Sequence, residues 1–448
     1  MIALLALLAC PGPETDTSVD TSDSDASGEV TDALSMPAEP TLDPADFASA
    51  DTCEACHPDH VAQWRTSNHA YAITDPVFQA LVGVRQVMRE GREDRFCMQC
   101  HTAIGVRGGE VVPGFSFDDL SPIAQEGVTC EACHKVSSVE RARNSGHVFD
   151  PTGPERGPLA AVETTGHASE TSSVLATSEF CGACHDIVEV SGLPLERPYA
   201  EWLDSPAAAD GRTCQDCHMT PWTGSAAVGS PERSDLHRHE WPGVDVPLRE
   251  GFADEVTTEA IAGRVGGLLA DAATVEVDVP FAALPDSYAD VLVTVTNHVD
   301  GHSLPTGSTF LRQLWLEVIA TDDDGNVVYE SGTLDENGDL RDAWSAVDRY
   351  GDVDLVTFTS GFVNAAGAPE LFPWEARDHF SNAIPAGYER TVTYFVPTDG
   401  ASGALHLTAR LRLRPVAPFL LRALGLERYV DDVRIWDLAE AAMDVPIE

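Results

Sequence analysis

Lysine is almost absent from this sequence, and acidic side chains far outnumber basic ones. Lys135 is the only lysine, and 27 basic residues stand against 73 acidic residues in a chain of 448. The formal net charge is −46 at pH 7. A surface this acidic repels nucleic acid and anionic headgroups, and it favours either a protein partner with a basic docking face or a high-salt habitat. The composition therefore argues against a nucleic-acid partner.

Cysteine is also scarce outside one repeated motif. Of the 11 cysteines, only Cys10 lies outside five copies of the pentapeptide Cys-x-x-Cys-His. Two thiols at this spacing can be added across the two vinyl groups of a haem, and the adjoining His is then held where its imidazole reaches the iron. The copies, numbered here as sites 1 to 5 in chain order, comprise Cys53, Cys56 and His57; Cys97, Cys100 and His101; Cys130, Cys133 and His134; Cys181, Cys184 and His185; and Cys214, Cys217 and His218.

Zinc sites and a disulfide framework are the alternative interpretations of the repeated motif. Paired Cys-x-x-Cys units do build zinc ribbons and fingers, but zinc does not require a His directly after every pair. A disulfide framework does not require it either. Five identical pentapeptides therefore predict five covalently attached haem c groups, each with its motif histidine as an iron ligand.

The chain lacks a long apolar run at its N-terminus. Residues 1–9 (MIALLALLA) are far too few to span a bilayer, which needs about 20 residues. The run ends in a small residue before Cys10, as a lipoprotein signal segment does, although the positively charged start of a signal peptide is absent. We expect Cys10 to carry a lipid that anchors the protein to a membrane. Because bacterial c-type haem attachment takes place outside the cytoplasm, the predicted location is the periplasm, the outer membrane or the cell surface.

The composition then changes twice along the chain. Residues 10–50 are acidic and contain no basic residue, so they cannot bury enough apolar surface to fold and are predicted to form a disordered tether. Residues 51–250 hold all five sites, and we expect short helices and loops wrapped on the haem groups there, with helical periodicity over 59–73 and 77–92. Residues 255–448 contain no cysteine. The predicted fold class is α+β, a pentahaem domain followed by a second domain.

Apolar and polar residues alternate with period two in the second domain. Turn signals at 324–326 and 337–339 separate the alternating segments. This pattern predicts an antiparallel β-sandwich, with a cap formed by a helix at 418–424 and a strand or helix near 433–443. The alternating segments are 273–279, 290–296, 314–320, 390–396 and 405–413.

Residues 57–72 resemble a block of the tetrahaem cytochrome c-554 family. Trp64, Ser67 and His69 match that family's Trp-x-x-Ser-x-His-Ala block, and the resemblance extends over the haem region to residues 180–186 (FCGACHD). In that family the block is a helix whose His ligates a haem, which implies His69 as a sixth iron ligand here. This chain has five sites where that family has four.

Ten histidines outside the motifs can supply the other sixth ligands. His167 precedes site 4 and resembles a ligand position of related multihaem cytochromes, and His239 follows site 5 at a comparable place, with His237 as its rival. His147 follows site 3. A solvent-exposed or propionate-bonding role is the alternative for each of them. Arg156 is a candidate partner for a haem propionate, with a surface position in a turn as its alternative.

One more candidate ligand lies in the predicted β-sandwich. Residues 297–307 (NHVDGHSLPTG) resemble a Gly-His-x-Leu/Phe-Pro-Thr-Gly block found in C-terminal β-domains of multihaem cytochromes. A His held in a rigid Gly/Pro loop can reach back to a haem, which makes His302 a candidate ligand, with a hydrogen bond in a turn as the alternative. Because only six methionines are present, we expect predominantly bis-histidine coordination.

Three functions are compatible with these observations. The first is an exported electron carrier that works with redox partner proteins. The second is an oxidoreductase that acts on a small nitrogen or sulfur compound at one five-coordinate haem, and the third is a structural haem subunit of a larger complex. The supply of histidines favours the carrier, and no catalytic group of Lys, Tyr or acidic residues stands out. We therefore expect an electron carrier rather than an enzyme.

Overall fold

The computed structural model describes residues 36–37, 39–161 and 166–448. The predicted leader, the predicted lipidation site Cys10 and most of the predicted tether lie outside the described residues. Among the residues that are described, no helix combines the length and the apolar character needed to cross a membrane.

Short helices make up most of the region that carries the motifs, called here the motif region (residues 39–161 and 166–250). Ser49, Ser67 and Asp75 each begin a helix by accepting a backbone N–H from its first turn, as Ser and Asp do at helix N-termini. The helices are α1 (Ala50–Glu54), α2 (Pro58–Arg65), α3 (Asn68–Tyr71), α4 (Pro76–Met88), α5 (Asp94–His101), α6 (Ala103–Arg107), α7 (Pro122–Gln125), α8 (Cys130–His134), α9 (Ser178–Gly182), α10 (Pro198–Leu203), α11 (Pro206–Ala209) and α12 (Cys214–His218).

The two predicted helical segments are confirmed, with one break. Segment 77–92 corresponds to α4, and segment 59–73 to α2 and α3. The break falls at Ser67, whose hydroxyl accepts the N–H of Ala70 and so starts a new helix. Both halves of the broken segment keep an apolar side towards the interior, since Val61, Trp64 and Tyr71 are buried.

Four small sheets complete the motif region. Three are antiparallel hairpins and one, β3 with β4, is a parallel pair. The paired strands are β1 (Val136–Val139) with β2 (His147–Phe149), β3 (Glu155–Gly157) with β4 (Ser169–Thr171), β5 (Ile187–Val188) with β6 (Pro194–Glu196), and β7 (Pro221–Ser225) with β8 (Glu232–His237).

The second half of the chain is an antiparallel β-sandwich, called here the β-sandwich (residues 255–448). Helix α13 (Glu255–Leu269), capped by Asp254, leads into it. One sheet has the order β16–β10–β9 and the other β12–β11–β17–β18. The strands are β9 (Ala273–Asp278), β10 (Tyr288–Asn297), β11 (Gln313–Thr321), β12 (Val327–Ser331), β16 (Glu389–Pro397), β17 (Ala404–Arg414) and β18 (Trp436–Pro446).

The two sheets share one aliphatic core. Val291, Val293 and Val295 of β10 face Leu316 and Leu405 of the second sheet within a single buried cluster. Buried and less buried residues alternate along β10 and β17, as expected for strands with one face towards a core. All five alternating segments predicted from the sequence form strands of these two sheets.

The predicted strand or helix near 433–443 is a strand, β18. It pairs with β17 along its whole length, from Ala404↔Pro446 to Leu413↔Trp436, and so belongs to the second sheet rather than to a cap packed on it. The predicted helix at 418–424 is present as α14 (Pro418–Ala423). The strands β13 (Ser360–Val363), β14 (Pro369–Glu370) and β15 (Asp378–Ser381) form a third small sheet that the sequence pattern does not predict.

Polar contacts join the motif region to the β-sandwich. Arg312 forms two hydrogen bonds of 2.9 Å with the carboxylate of Asp245. Oε2 of Glu201 accepts the backbone N–H of Ser303 at 3.0 Å and the hydroxyl of Thr306 at 2.6 Å. These contacts hold the loop that contains His302 against the motif region.

Candidate haem-binding sites

The imidazoles of the motif histidines are oriented by backbone carbonyls. In the described part of the chain, Nδ1 of four of the five lies next to a carbonyl oxygen, which can only accept, so Nδ1 carries the proton. The unprotonated Nε2 is then available to a metal ion. The four contacts are His57 to Ala226 (2.7 Å), His101 to Ala72 (2.9 Å), His134 to Arg156 (2.6 Å) and His218 to Pro242 (3.1 Å).

Four motif histidines face a second imidazole at a nearly constant distance. An imidazole nitrogen binds a metal at about 2 Å and lies roughly 1.1 Å from its ring centre, so two rings on opposite sides of one iron have centres about 6.3 Å apart. The observed distances between ring centres are 6.2 Å for His57 and His167, 6.2 Å for His69 and His185, 6.4 Å for His134 and His239, and 6.3 Å for His218 and His302.

The angle between the ring planes differs among the four pairs. The two ring planes are inclined by 16° to 29° in three pairs and by 46° in the pair of His69 and His185. His60 also lies 6.2 Å from His57. These two side chains come from neighbouring turns of the chain, however, and so cannot approach one iron from opposite faces. The structure therefore brings His69, His167, His239 and His302 into positions where they can act as sixth ligands.

Burial keeps several of these imidazoles neutral. Burial and the nearby His185 lower the pKa of His69 to about 3, and burial and the nearby His134 lower the pKa of His239 to about 3. Burial and the nearby His302 lower the pKa of His218 to about 4. Only the neutral imidazole can ligate a metal, so these side chains are in the required form at neutral pH.

Site 2 differs from the other four sites. Its His101 has no imidazole opposite it within the residues that the structure describes. The ring of Phe78 instead stacks on His101, with ring centres 3.7 Å apart and planes inclined by 4°. Nη1 of Arg85 lies 3.9 Å from Sγ of Cys97, in a buried cluster with Glu189. These contacts fix the motif side of site 2 without supplying a second ligand.

His147 is not placed opposite any motif histidine. Its Nε2 donates to the carbonyl of Phe180 at 2.8 Å, and its Nδ1 lies 3.8 Å from Sγ of Cys184. With Nε2 occupied by a carbonyl, the geometry does not favour His147 as a ligand. His237, the rival of His239, donates Nδ1–H to the carbonyl of Met219 at 2.7 Å and likewise faces no motif histidine.

Arg156 contributes to site 3 in an unexpected way. Its carbonyl orients His134, as described above, while its guanidinium donates to Asp150 at 2.7 Å and pairs with Glu170 at 3.5 Å. The guanidinium is buried among these acidic groups. The predicted contact between Arg156 and a haem propionate stays a prediction.

Cysteines of different sites lie next to one another. The thiol of Cys53 interacts directly with that of Cys130, which joins sites 1 and 3. Cys100 and Cys184 join sites 2 and 4, and Cys181 and Cys214 join sites 4 and 5. Cys133 lies near Cys184, which brings site 3 next to site 4. In the described part of the chain, none of the ten motif cysteines forms a disulfide.

Two features of the sites have no evident sequence signal. Trp241 packs between His69 and His239, at 4.5 Å and 5.0 Å between ring centres. Arg85 is 2% exposed and forms hydrogen bonds of 2.9 Å and 2.6 Å with Glu189, more than one hundred positions away. A single aromatic or charged residue in a helix or loop is too common a feature to be identified without its neighbours.

Part of the motif region is similar in sequence to a known family, and the whole fold is similar to a solved structure. The family model described as "Cytochrome c554 and c-prime" matches residues 52–135, which contain sites 1 to 3. No curated protein matches the chain. A penta-heme cytochrome c552 from Thermochromatium tepidum has a similar structure, with a TM-score of 0.61 and 18% sequence identity, over 90% of this chain and 100% of that chain. At that identity the likeness shows the fold.

Two further structures are similar only in part. The C-terminal domain of wzt gives a TM-score of 0.19 at 11% identity, over 40% of this chain and 74% of that chain. BslA, described as a bacterial hydrophobin, gives 0.16 at 11% identity, over 40% of this chain and 95% of that chain. Scores this low support no conclusion.

The five motifs and these comparisons support a c-type cytochrome. More specifically, residues 52–135 are similar to a family of multihaem c-type cytochromes, and the fold is similar to that of a pentahaem cytochrome.

Proposed function

We propose that this protein is an exported pentahaem c-type cytochrome that transfers electrons through closely spaced haems, most of them with two histidine ligands. The observation that carries the proposal is the set of four imidazole pairs at 6.2 to 6.4 Å, each containing one motif histidine. Haem iron, when bound, supplies reversible one-electron chemistry. The motif cysteines would attach the macrocycle, and the paired imidazoles would hold its iron.

From these pairs we infer one sixth ligand for each of four sites. His167 serves site 1, His239 serves site 3, His69 serves site 4, and His302 serves site 5. Two histidine ligands leave no open position for a substrate and change little between oxidation states, which suits electron transfer. Such sites have lower potentials than a Met/His site.

Contacts between the motif cysteines suggest an order for the five sites. Each motif thiol lies at the edge of its own macrocycle, so neighbouring thiols bring two macrocycle edges close together. The thiol contacts give the order 1, 3, 4, 5, with site 2 attached to site 4 as a branch. Cys56 of site 1 and Cys217 of site 5 are exposed, whereas the other motif cysteines are partly covered. We infer that electrons enter and leave at sites 1 and 5.

The charge of the protein indicates the chemistry of its partner. Arg212 and Asp300 lie near the exposed Cys217, and Arg212 is paired at the surface with Asp210 and Asp300. With a net charge of −46, the protein should attract a redox partner through a basic face, and the association should weaken as salt rises. Export and anchoring through Cys10 are part of the proposal, supported by the leader-like segment and by the need for haem attachment outside the cytoplasm.

Substitution of the proposed sixth ligands tests the pairing. H69A and H239A each remove one imidazole from a different site, so each oxidised variant should show one new high-spin ferric signal by electron paramagnetic resonance (EPR), with an unchanged haem content. H379A is the matched control, since His379 lies in β15 of the β-sandwich and contacts Asp378. Spectra of H69A and H239A that match that of the control would contradict the assignments.

A second candidate function is favoured by site 2. Because no imidazole faces His101 in the described part of the chain, an iron held there has a position that a small molecule can occupy. That geometry suits an oxidoreductase acting on a small nitrogen or sulfur compound, with the other four sites supplying electrons. Steady-state assays with nitrite and hydroxylamine test it. Turnover that disappears when cyanide occupies the high-spin site would establish the enzyme, and absence of turnover would leave the carrier.

A further inference from the structure

The segment from His239 to Pro242 contacts three of the proposed haem sites. His239 is the proposed sixth ligand of site 3. The indole of Trp241 lies 4.5 Å from His69, the proposed sixth ligand of site 4, and 5.0 Å from His239. The carbonyl of Pro242 accepts the Nδ1–H of His218, the motif histidine of site 5. Three of these four consecutive residues thus supply or contact proposed ligands of sites 3, 4 and 5.

Trp241 holds this position in an unusual backbone conformation. Its φ is +38°, in the left-handed region that a bulky side chain rarely adopts. Such a conformation persists only where the surrounding contacts impose it, and it is commonly found at functional positions. The following residue, Pro242, further restricts the backbone of Trp241.

Contacts on both sides of Trp241 hold its backbone in place. The N–H of His239 donates to Oε1 of Gln63 at 2.8 Å. The carboxylate of Glu240 lies 3.8 Å from Arg264 of α13, and Asp245 is bound by Arg312 of the β-sandwich. The segment is therefore tied to α2, to α13 and to the β-sandwich, and these ties direct the indole between the two imidazoles.

We propose that Trp241 is a positioning residue that fixes the orientation of two sixth ligands at once, those of sites 3 and 4. The inference rests on the proposed function, because it takes His69 and His239 as ligands. Both imidazoles turn about their Cα–Cβ and Cβ–Cγ bonds, and the indole between them blocks that rotation. The angle between ring planes, 46° at site 4 and 16° at site 3, is the quantity that Trp241 sets. Sites 3 and 4 are also neighbours in the proposed electron path, so one side chain controls the geometry at both.

The test compares two substitutions at Trp241, which distinguish the effect of the aromatic ring from the effect of the backbone conformation. W241G removes the ring and suits the positive φ, because glycine adopts left-handed conformations readily. W241F keeps an aromatic ring, but phenylalanine is as unfavourable as tryptophan in a backbone with positive φ. The readout is the EPR spectrum of the oxidised protein, since the g values of a bis-imidazole ferric haem depend on the angle between the two ring planes. Haem content and circular dichroism establish that each variant is folded and loaded.

The proposal predicts a selective change. In W241G, two low-spin signals should shift or broaden, while the signals of the other two low-spin sites stay as in the unmodified protein. The EPR spectrum of W241F should differ less from that of the unmodified protein. W344F is the control, because Trp344 stacks on Phe419 in the β-sandwich. A W241G spectrum identical to that of the unmodified protein, or one in which all low-spin signals change together, would overturn the proposal.

Failure of the proposed function gives a different result. If His69 and His239 are not ligands, then H69A and H239A produce no high-spin signal, whatever W241G does. If they are ligands and Trp241 does not position them, the two histidine variants produce high-spin signals while W241G leaves the low-spin signals in place.

Discussion

The motif region and the β-sandwich are folded by different interactions. The β-sandwich has one aliphatic core shared by two sheets, and Val291, Val293, Leu316 and Leu405 are completely or almost completely buried in it. The motif region has only small apolar clusters, such as the one around Met98 and Val106. Its interior instead holds imidazoles and thiols arranged in pairs. We infer that the β-sandwich is stable through its own side chains, whereas the motif region depends on covalently attached haem.

The largest expected effect separates the two regions directly. C130S/C133S removes both thiols of site 3, which lies between sites 1 and 4. The motif region should therefore lose at least one haem and become sensitive to trypsin between residues 51 and 250. The β-sandwich should remain as a resistant fragment. Pyridine haemochrome assay and mass spectrometry of the digest measure both results.

A reciprocal substitution completes this comparison. L316A removes a buried side chain from the β-sandwich core and should cost about 2–5 kcal/mol in the unfolding of the β-sandwich, while all haems remain attached. A motif region in C130S/C133S that resists trypsin as well as in the unmodified protein would contradict the dependence on haem.

The next prediction concerns the link between the two regions. H302A removes the proposed sixth ligand of site 5 that comes from the β-sandwich, so one low-spin signal should convert to high-spin and the thermal transitions of the two regions should move apart. EPR and differential scanning calorimetry measure these effects. H298A is the control, because His298 is exposed in the same loop and contacts Thr274. If H302A and H298A gave the same EPR spectra and the same thermal transitions, a ligand role for His302 would be excluded.

Buried charge next to site 2 gives a third prediction. Arg85 and Glu189 are each 1–2% exposed, and removal of one partner leaves the other as an uncompensated buried charge. R85M should therefore lower the free energy of unfolding by about 3–5 kcal/mol. The free energy of unfolding of R85M/E189M should be much closer to that of the unmodified protein. R85M should also lower the reduction potential at site 2, since a positive charge 3.9 Å from Sγ of Cys97 is lost. Chemical denaturation and a redox titration of the high-spin signal measure the two effects.

The smallest prediction is a pH dependence within the motif region. Burial raises the pKa of Asp75 from its ordinary value of 3.8 to about 6. Between these values the folded protein binds more protons than the unfolded chain, so stability falls as pH rises. From pH 4 to 7 this should cost up to about 3 kcal/mol. D75N should remove the dependence and still cap α4, because Asn is a good N-cap. An equal slope in D75N would assign the dependence to other groups.

The two regions also differ in what their sequence predicts. In the β-sandwich, period-two alternation identifies β9, β10, β11, β16 and β17, because every side chain that faces the core belongs to the same local pattern. At β18 the pattern does not distinguish a strand from a helix. It also does not predict the third small sheet, which contains β13. In these shorter or less regular strands the pairing partner, rather than the local alternation, decides the structure.

In the motif region the sequence predicts the chemistry but not the pairing. The pentapeptides predict the attachment residues because both thiols and the expected ligand lie within five positions. The proposed sixth ligands come from distant positions: His239 follows site 5 in the chain but faces site 3, and His167 precedes site 4 but faces site 1. Trp241 and the Arg85–Glu189 pair act through contacts between segments far apart in the chain, which no local pattern records.

The spin state of the oxidised protein tests the central claim most directly. Quantitative EPR, combined with a pyridine haemochrome count on the same sample, gives the number of haems and the number with two strong axial ligands. Four imidazole pairs and one unpaired motif histidine predict five haems, of which four are low-spin and one is high-spin. Two or more high-spin haems in the intact protein would contradict the assignment of His69, His167, His239 and His302 as sixth ligands.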